Sequence, residues 1–235
     1  MGKRQDSRER IEAQIRDAGR RQLVTIGAAG LSLRAIAREL GMVSSAIYRY
    51  VPSRDDLLTA LLVDAYTDLA DRVDDARSAA TGGWRAELDA MAHAVRGWAL
   101  DAPASWALLY GSPVPGYQAP PEVTVVPGTR VVGAVLDVVS AGLPVGASGV
   151  VVPQELSRDF ARLRDEYSMP DDDPAVARCF TFWAGLIGAI SLEVFGQYGA
   201  DTLTDPGQLF EIQLRLLTDM LEFGPPADAN GPPSA

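Results

Sequence analysis

The chain has 235 residues, 47% of them apolar, with a formal charge of −10 at pH 7, one cysteine (Cys179) and one histidine (His93). That apolar share supports two unequal cores, while one thiol excludes an internal disulfide scaffold and a zinc cluster of Cys/His type. The acid excess argues against non-specific polyanion binding by the whole molecule, yet residues 1–54 hold 11 Lys and Arg against 5 Asp and Glu, or +6, leaving −16 on the rest.

The N-terminus, MGKRQDSRERIEAQIRD, is charged where a signal peptide needs an apolar stretch and carries acids that a transit peptide avoids. A soluble, cytoplasmic protein with no membrane association is expected. From Ser7 to about Ile26 the pattern is helical, with Ile11, Ile15 and Ala18 along one side, and Gly27 to Gly30 end it. Ser32 can cap a second helix, Leu33 to Leu40, whose Leu33, Ile36, Ala37 and Leu40 share one face while Arg34 and Arg38 share the opposite one. Gly41 supplies a turn, and a third short helix is expected from Ser44 to Val51, stopped by Pro52. Ser53 and Asp56 resemble a capping box for a fourth helix reaching about Ala80.

Trp84 to Leu100 and a Pro103-initiated segment to about Tyr110 read as further helices, and residues 112–128 as a proline-rich connection. Helices are then expected over Thr129 to Ala141, Gln154 to Tyr167, Asp173 to about Tyr198 and Thr204 to Phe223. Strand signals are nearly absent, so the fold class is all-α. The domain expectation is a small helical domain over 1–56, a larger helical domain over 57–224, and a disordered tail over 225–235.

Two short helices joined across a glycine match a helix-turn-helix, in which the second helix lies in the major groove. At 100° per residue, Ile47 and Val51 share one side of that second helix and Ser44, Ser45, Tyr48 and Arg49 take the other. Hydroxyls and guanidinium groups there suit phosphates and base edges. Arg54 stands in the first turn of the fourth helix, where the helix dipole opposes a cation, so its presence calls for a partner such as a phosphate.

Residues 7–62 resemble the DNA-binding domain of the TetR/AcrR family of bacterial transcriptional regulators, through "SLRAIARELG", "AIYRYV" and "PSRDDLL". The resemblance implies that Ser32 and Arg34 touch the DNA backbone, Ser45 and Arg49 reach the groove, Tyr48 and Tyr50 contact phosphates, and Arg54 takes the phosphate role of the family's usual lysine. Two departures stand out. Val43 replaces the serine that usually caps the recognition helix, so that helix begins at Ser44 or loses part of its cap. Val51 replaces a phenylalanine and removes ring volume from a small core.

For the acidic remainder, the family implies a larger domain that dimerises through its last two helices and holds a small-molecule pocket. "FTFWAGLIGAISLEVFGQYG" is similar to the dimer-forming helix of a subgroup with Trp-His-Gly, here Trp183-Ala184-Gly185. Gly185, Gly188 and Ala189 would let a second helix approach closely, and with Leu209, Ile212, Leu216 and Met220 they form the candidate dimer seam. Trp84, Met91, His93, Trp98, Trp106, Tyr110, Phe180 and Trp183 are the candidate pocket lining. Asp171, Asp172 and Asp173 lead into a helix and are read as capping groups rather than a metal site, and no cofactor is expected.

One His and one Cys far apart, with no phosphate-cradling glycine motif and no serine elbow, offer no catalytic constellation. The expected function is a ligand-responsive homodimeric repressor on a near-palindromic double-stranded DNA operator. Its effector is expected to be apolar or amphipathic, uncharged or cationic.

Overall fold

The computed structural model describes residues 3–142, 151–169 and 171–223, and all regular structure among them is helical. The expected tail, 225–235, lies outside the described residues. The helices are α1 (Lys3–Ile26), α2 (Leu33–Glu39), α3 (Ser44–Ile47), α4 (Arg54–Ala79), α5 (Trp84–Asp101), α6 (Pro103–Tyr110), α7 (Pro121–Gly142), α8 (Gln154–Glu166), α9 (Asp173–Val194) and α10 (Pro206–Phe223). A 3-10 turn, Ala28–Gly30, follows α1.

Two compact units interleave along the chain: Met1–Ala70 with Trp98–Thr129, and Asp71–Gly97 with Arg130–Ala235. The sequence-based division at residue 56 is consecutive instead. Helices α4, α5 and α7 each have residues in both units.

Several helix ends differ from expectation: α1 begins at Lys3, four residues before Ser7, and α10 at Pro206, two after Thr204. Helix α3 stops at Ile47, and the chain continues to Tyr50 as turns in which the N–H groups of both Tyr50 and Val51 reach the Ile47 carbonyl. Helix α7 begins at Pro121, eight residues before the expected start, so the proline-rich connection is shorter. Pro121 occupies a first-turn position that needs no N–H, and Pro127 is accommodated inside the helix despite its missing donor. Helix α9 ends at Val194 because Gly196 is left-handed (φ 65°), and Gly196 N and Gln197 N cap the carbonyls of Glu193 and Leu192.

In the second unit, α9 buries Val176, Cys179, Phe182, Leu186 and Ile190, and α10 buries Phe210, Leu214 and Leu221. By length and composition alone α7 and α9 could each cross a membrane, but both are about half buried within the protein, as core helices are. The three aspartates before and at the start of α9 are engaged locally. Asp172 Oδ1 accepts from the Ala175 N–H at 3.0 Å, and Arg164 pairs with both Asp171 and Asp173.

Candidate nucleic-acid interface

The first unit's core joins Ile15, Ala18 and Leu23 of α1, Leu33, Ile36 and Ala37 of α2, Ile47 and Val51 around α3, and Leu57, Leu58 and Leu61 of α4. These are the apolar faces read from the sequence, and burying them turns the opposite faces outward. Ser32 caps α2: its hydroxyl oxygen accepts from the Ala35 N–H at 3.3 Å, and its own N–H donates to Gln22 Oε1 at 2.9 Å. Gln22 is itself buried, at 8% exposure, so it pins the start of α2 to α1.

Gly41 makes the turn between α2 and α3. Its φ of 67° is left-handed, and the Gly41 and Met42 N–H groups cap the carbonyls of Arg38 and Ala37. This is a glycine-centred helix stop that a side chain would strain. Val43 precedes α3 with no side-chain cap, as expected from the missing serine, and it is 74% exposed. Helix α3 is a single turn with no side-chain cap at its start.

Ser44, Ser45, Tyr48 and Arg49 are exposed, whereas Tyr50 packs partly against the core. On α2, Arg34 and Arg38 are exposed while Leu33, Ile36 and Ala37 are buried. Among the described residues Arg34, Arg38 and Arg49 make no ion pair within the protein. Arg21, by contrast, is spent on Glu39 at 2.7 Å, and Arg20 on Asp17 and Asp64. Arg38, four positions after Arg34, lies on the same exposed face of α2.

Arg54 has found partners inside the protein. Its Nη2 donates to the carbonyl oxygens of Ala28 at 2.9 Å and Ala29 at 3.2 Å, and Nη1 lies 3.4 Å from Asp55. The cap at this helix start is Ser53, whose oxygen accepts from the Asp56 N–H and whose hydroxyl donates to the Asp56 carboxylate at 2.6 Å.

The candidate pocket residues divide. Trp98, Trp106 and Tyr110 meet in the first unit, with ring centroids 6.5 Å and 4.5 Å apart, and Trp98 Nε1 donates to Asp68 at 2.7 Å. Burial pushes the Tyr110 phenol well above its ordinary range, with Tyr66 adding to the shift. Trp84, Met91, His93, Phe180 and Trp183 belong to the second unit. Phe180 is 41% exposed and stacks on Phe160. His93 bridges the Asp89 carbonyl and Glu211. Cys179 is buried, and that burial pushes its thiol up to about 12, which keeps it unreactive.

The dimer-seam candidates split by exposure. Leu216 and Ile212 are 64% and 56% exposed, Gly188 is open, and Leu209, Met220 and Gly185 are intermediate, while Ala189 is buried. Gly185, Gly188, Ala189, Leu192 and Leu216 share the lining of an apolar groove of about 390 Å³ between α9 and α10.

A packed four-helix head with a glycine turn, and arginines left unpaired on its outer faces, defines a helix-turn-helix DNA-binding protein. Residues 15–61 match the family of bacterial regulatory proteins, tetR family, and residues 88–217 match the tetracyclin repressor-like C-terminal domain. The chain belongs to the tetR family of transcriptional regulators. Helix-turn-helix-type transcriptional regulators of Mycobacterium tuberculosis and Mycobacterium bovis are 61% identical over 225 residues, 94% of this chain and 96% of theirs. The crystal structure of a regulatory protein at 34% identity superposes with a TM-score of 0.76, covering 93% of this chain and all of that one. A tetR family transcription regulator from Shewanella sp. PV-4 shares the fold at 16% identity, with a TM-score of 0.57 over 88% of this chain and 96% of its own.

Proposed function

We propose that the protein is a homodimeric, cytoplasmic repressor that binds a near-palindromic operator and is released by a small apolar or amphipathic molecule. The observation that carries the reading is the set of unpaired cations Arg34, Arg38 and Arg49, exposed on α2 and the α3 turn of an otherwise acidic chain. With Ser44, Ser45 and Tyr48 they offer donors to phosphates and base edges, and the Ser32 hydroxyl can still donate its proton after accepting the cap bond. Tyr50, half buried, is left with a supporting place beside the phosphate-contacting Tyr48. Residues 1–56 act as the reading head and 57–224 as the effector and dimer region.

Two copies are needed because one head of this size touches too little DNA. A two-fold pair presents recognition helices to half-sites about 34–36 Å apart. The exposed Ile212 and Leu216 beside Gly188 supply the apolar face on which the copies would meet. For the effector, the Trp98, Trp106 and Tyr110 cluster favours an apolar or aromatic body, and the −16 beyond residue 54 disfavours a polyanion.

The test is selection from a random duplex library with the full-length protein. A near-palindromic site with half-sites one helical turn apart is expected. Recovery of unrelated sequences with no symmetry would overturn the reading.

A further inference from the structure

A groove of about 400 Å³ lies within the first unit, walled by Ile26, Gly27, Ala28 and Ala29 at the end of α1, by Ala107 and Leu108 of α6, and by residues 112–115. Its volume falls in the range of small-molecule sites, about 300–1,000 Å³. The groove persists although α6 packs on the head: Leu108 and Val114 press against the same core that holds Ile36 and Leu57. Gly27, Ala28, Ala29, Ala104 and Ala107 contribute at most a methyl side chain to the lining.

The lining names the chemistry of the guest. None of its side chains is ionisable, and Ser112 brings its one side-chain hydroxyl. The Ala28 and Ala29 carbonyls, which could have accepted from a guest, already accept from Arg54. A charged molecule would find no ionised partner in this lining, whereas a neutral ring needs none.

We propose that this groove binds a compact, uncharged, largely apolar molecule and that its occupancy regulates the reading head. The wall is the 3-10 turn Ala28–Gly30, which runs directly into Leu31 and the Ser32 cap of α2. A guest that favours one position of the turn shifts the start of α2, and with it the recognition turn. This regulatory half rests on the DNA-binding reading above.

The experiment uses indole as probe on the full-length protein with labelled alanine methyl groups. Saturable shifts of the Ala28, Ala29 and Ala107 methyl signals are expected in NMR spectra. Ala107→Phe, at an exposed helix position, and Ser112→Trp, at an exposed loop position, should each weaken binding by about tenfold or more. Absence of shifts at these methyls at millimolar indole, or shifts confined to other alanines, overturns the site. A second arm measures affinity for the selected duplex with and without indole. A change in wild type that Ala107→Phe abolishes supports the regulation, and an unchanged affinity overturns it while leaving the site standing. A protein that selects no duplex fails the operator reading alone, since the methyl shifts need no DNA.

Discussion

The guanidinium of Arg54 is bonded to the Ala28 carbonyl at 2.9 Å, and through the same nitrogen to Ala29 at 3.2 Å. A cation in the first turn of a helix is opposed by the helix dipole, and the carbonyls of the turn after α1 offset that here. Arg54 is thereby a positioning residue, tying the first turn of α4 to the entry of α2. Removing it leaves two carbonyls short of a charged donor, a loss of about 1.5–3 kcal/mol for such bonds before allowance for partial exposure. Arg54→Ala should therefore lower the melting temperature and weaken DNA binding without changing the salt dependence of log K. A phosphate contact would instead reduce that slope by about 0.9, and such a fall, measured by anisotropy titrations over a salt series, would return Arg54 to the DNA.

The unpaired arginines carry the opposite expectation. Arg34, Arg38 and Arg49 make no ion pair among the described residues, so Arg34→Ala, Arg38→Ala and Arg49→Ala should each leave stability within about 0.5 kcal/mol of wild type. Each that meets a phosphate should lower the salt slope by about 0.9, and one that reads a guanine edge should relax sequence preference at one position by about 1–3 kcal/mol. Tyr48→Phe removes a neutral donor and should weaken binding with the slope intact. An Arg38→Ala protein with unaltered affinity and slope would confine the contact surface to Arg34 and the α3 turn.

His93 gives the second unit a pH dependence. Its two ring nitrogens face acceptors, the Asp89 carbonyl at 2.8 Å and Glu211 Oε1 at 2.7 Å, and only the imidazolium donates to both. Burial alone would lower its pKa, but the bonds to Glu211 and Asp89, with both carboxylates, raise it above the ordinary 6.5. Because the folded value is the higher one, the stabilisation is fully present below about 6.5 and is lost as pH rises through the folded value. The side chain is 39% exposed, so the effect is screened and modest. In thermal melts, His93→Gln should fall furthest below wild type near pH 6 and converge with it above the folded value. A gap that is constant from pH 6 to pH 9 would show that the bridge is not titrating.

How much of this was legible follows from where the forces are local. Ser32 as a cap, Gly41 as a left-handed turn, and the inward set of Leu33, Ile36, Ala37 and Ile47 are dictated by short-range geometry and apolar periodicity, and the structure has each in place. The internal use of Arg54 was hidden because Ala28 lies 26 positions away and a carbonyl leaves no mark in the sequence. The early start of α7 was hidden by its prolines, which read as a connection although Pro121 sits where a helix needs no donor. Aromatic type alone does not say that Trp98, Trp106 and Tyr110 fall in one unit and His93 and Trp183 in the other. On α10 the sequence held two stripes: Leu209, Ile212 and Leu216 lie at or near the surface, while Phe210, Leu214 and Leu221 form the buried one.

Two glycines three positions apart on α9 separate folding from association. A Cβ at Gly185 would stand 2.5 Å from Leu217 Cδ2, so this glycine is fitted to the packing of α10 within one protomer. A Cβ at Gly188 would meet nothing within 4 Å, on a helix face bordered by the exposed Leu192 and Leu216. Gly185→Leu should therefore overpack the α9 and α10 contact, costing about 1–3 kcal/mol of protomer stability whatever the oligomeric state. Gly188→Leu should leave the protomer folded, with far-UV helicity preserved, and act only where a second copy would lie. If α9 and α10 form the seam, its sedimentation should shift from dimer toward monomer at low micromolar concentration, and operator affinity should fall with it because both half-sites are no longer engaged together. A Gly188→Leu protein that remains a dimer and binds DNA as wild type does would place the seam on another face.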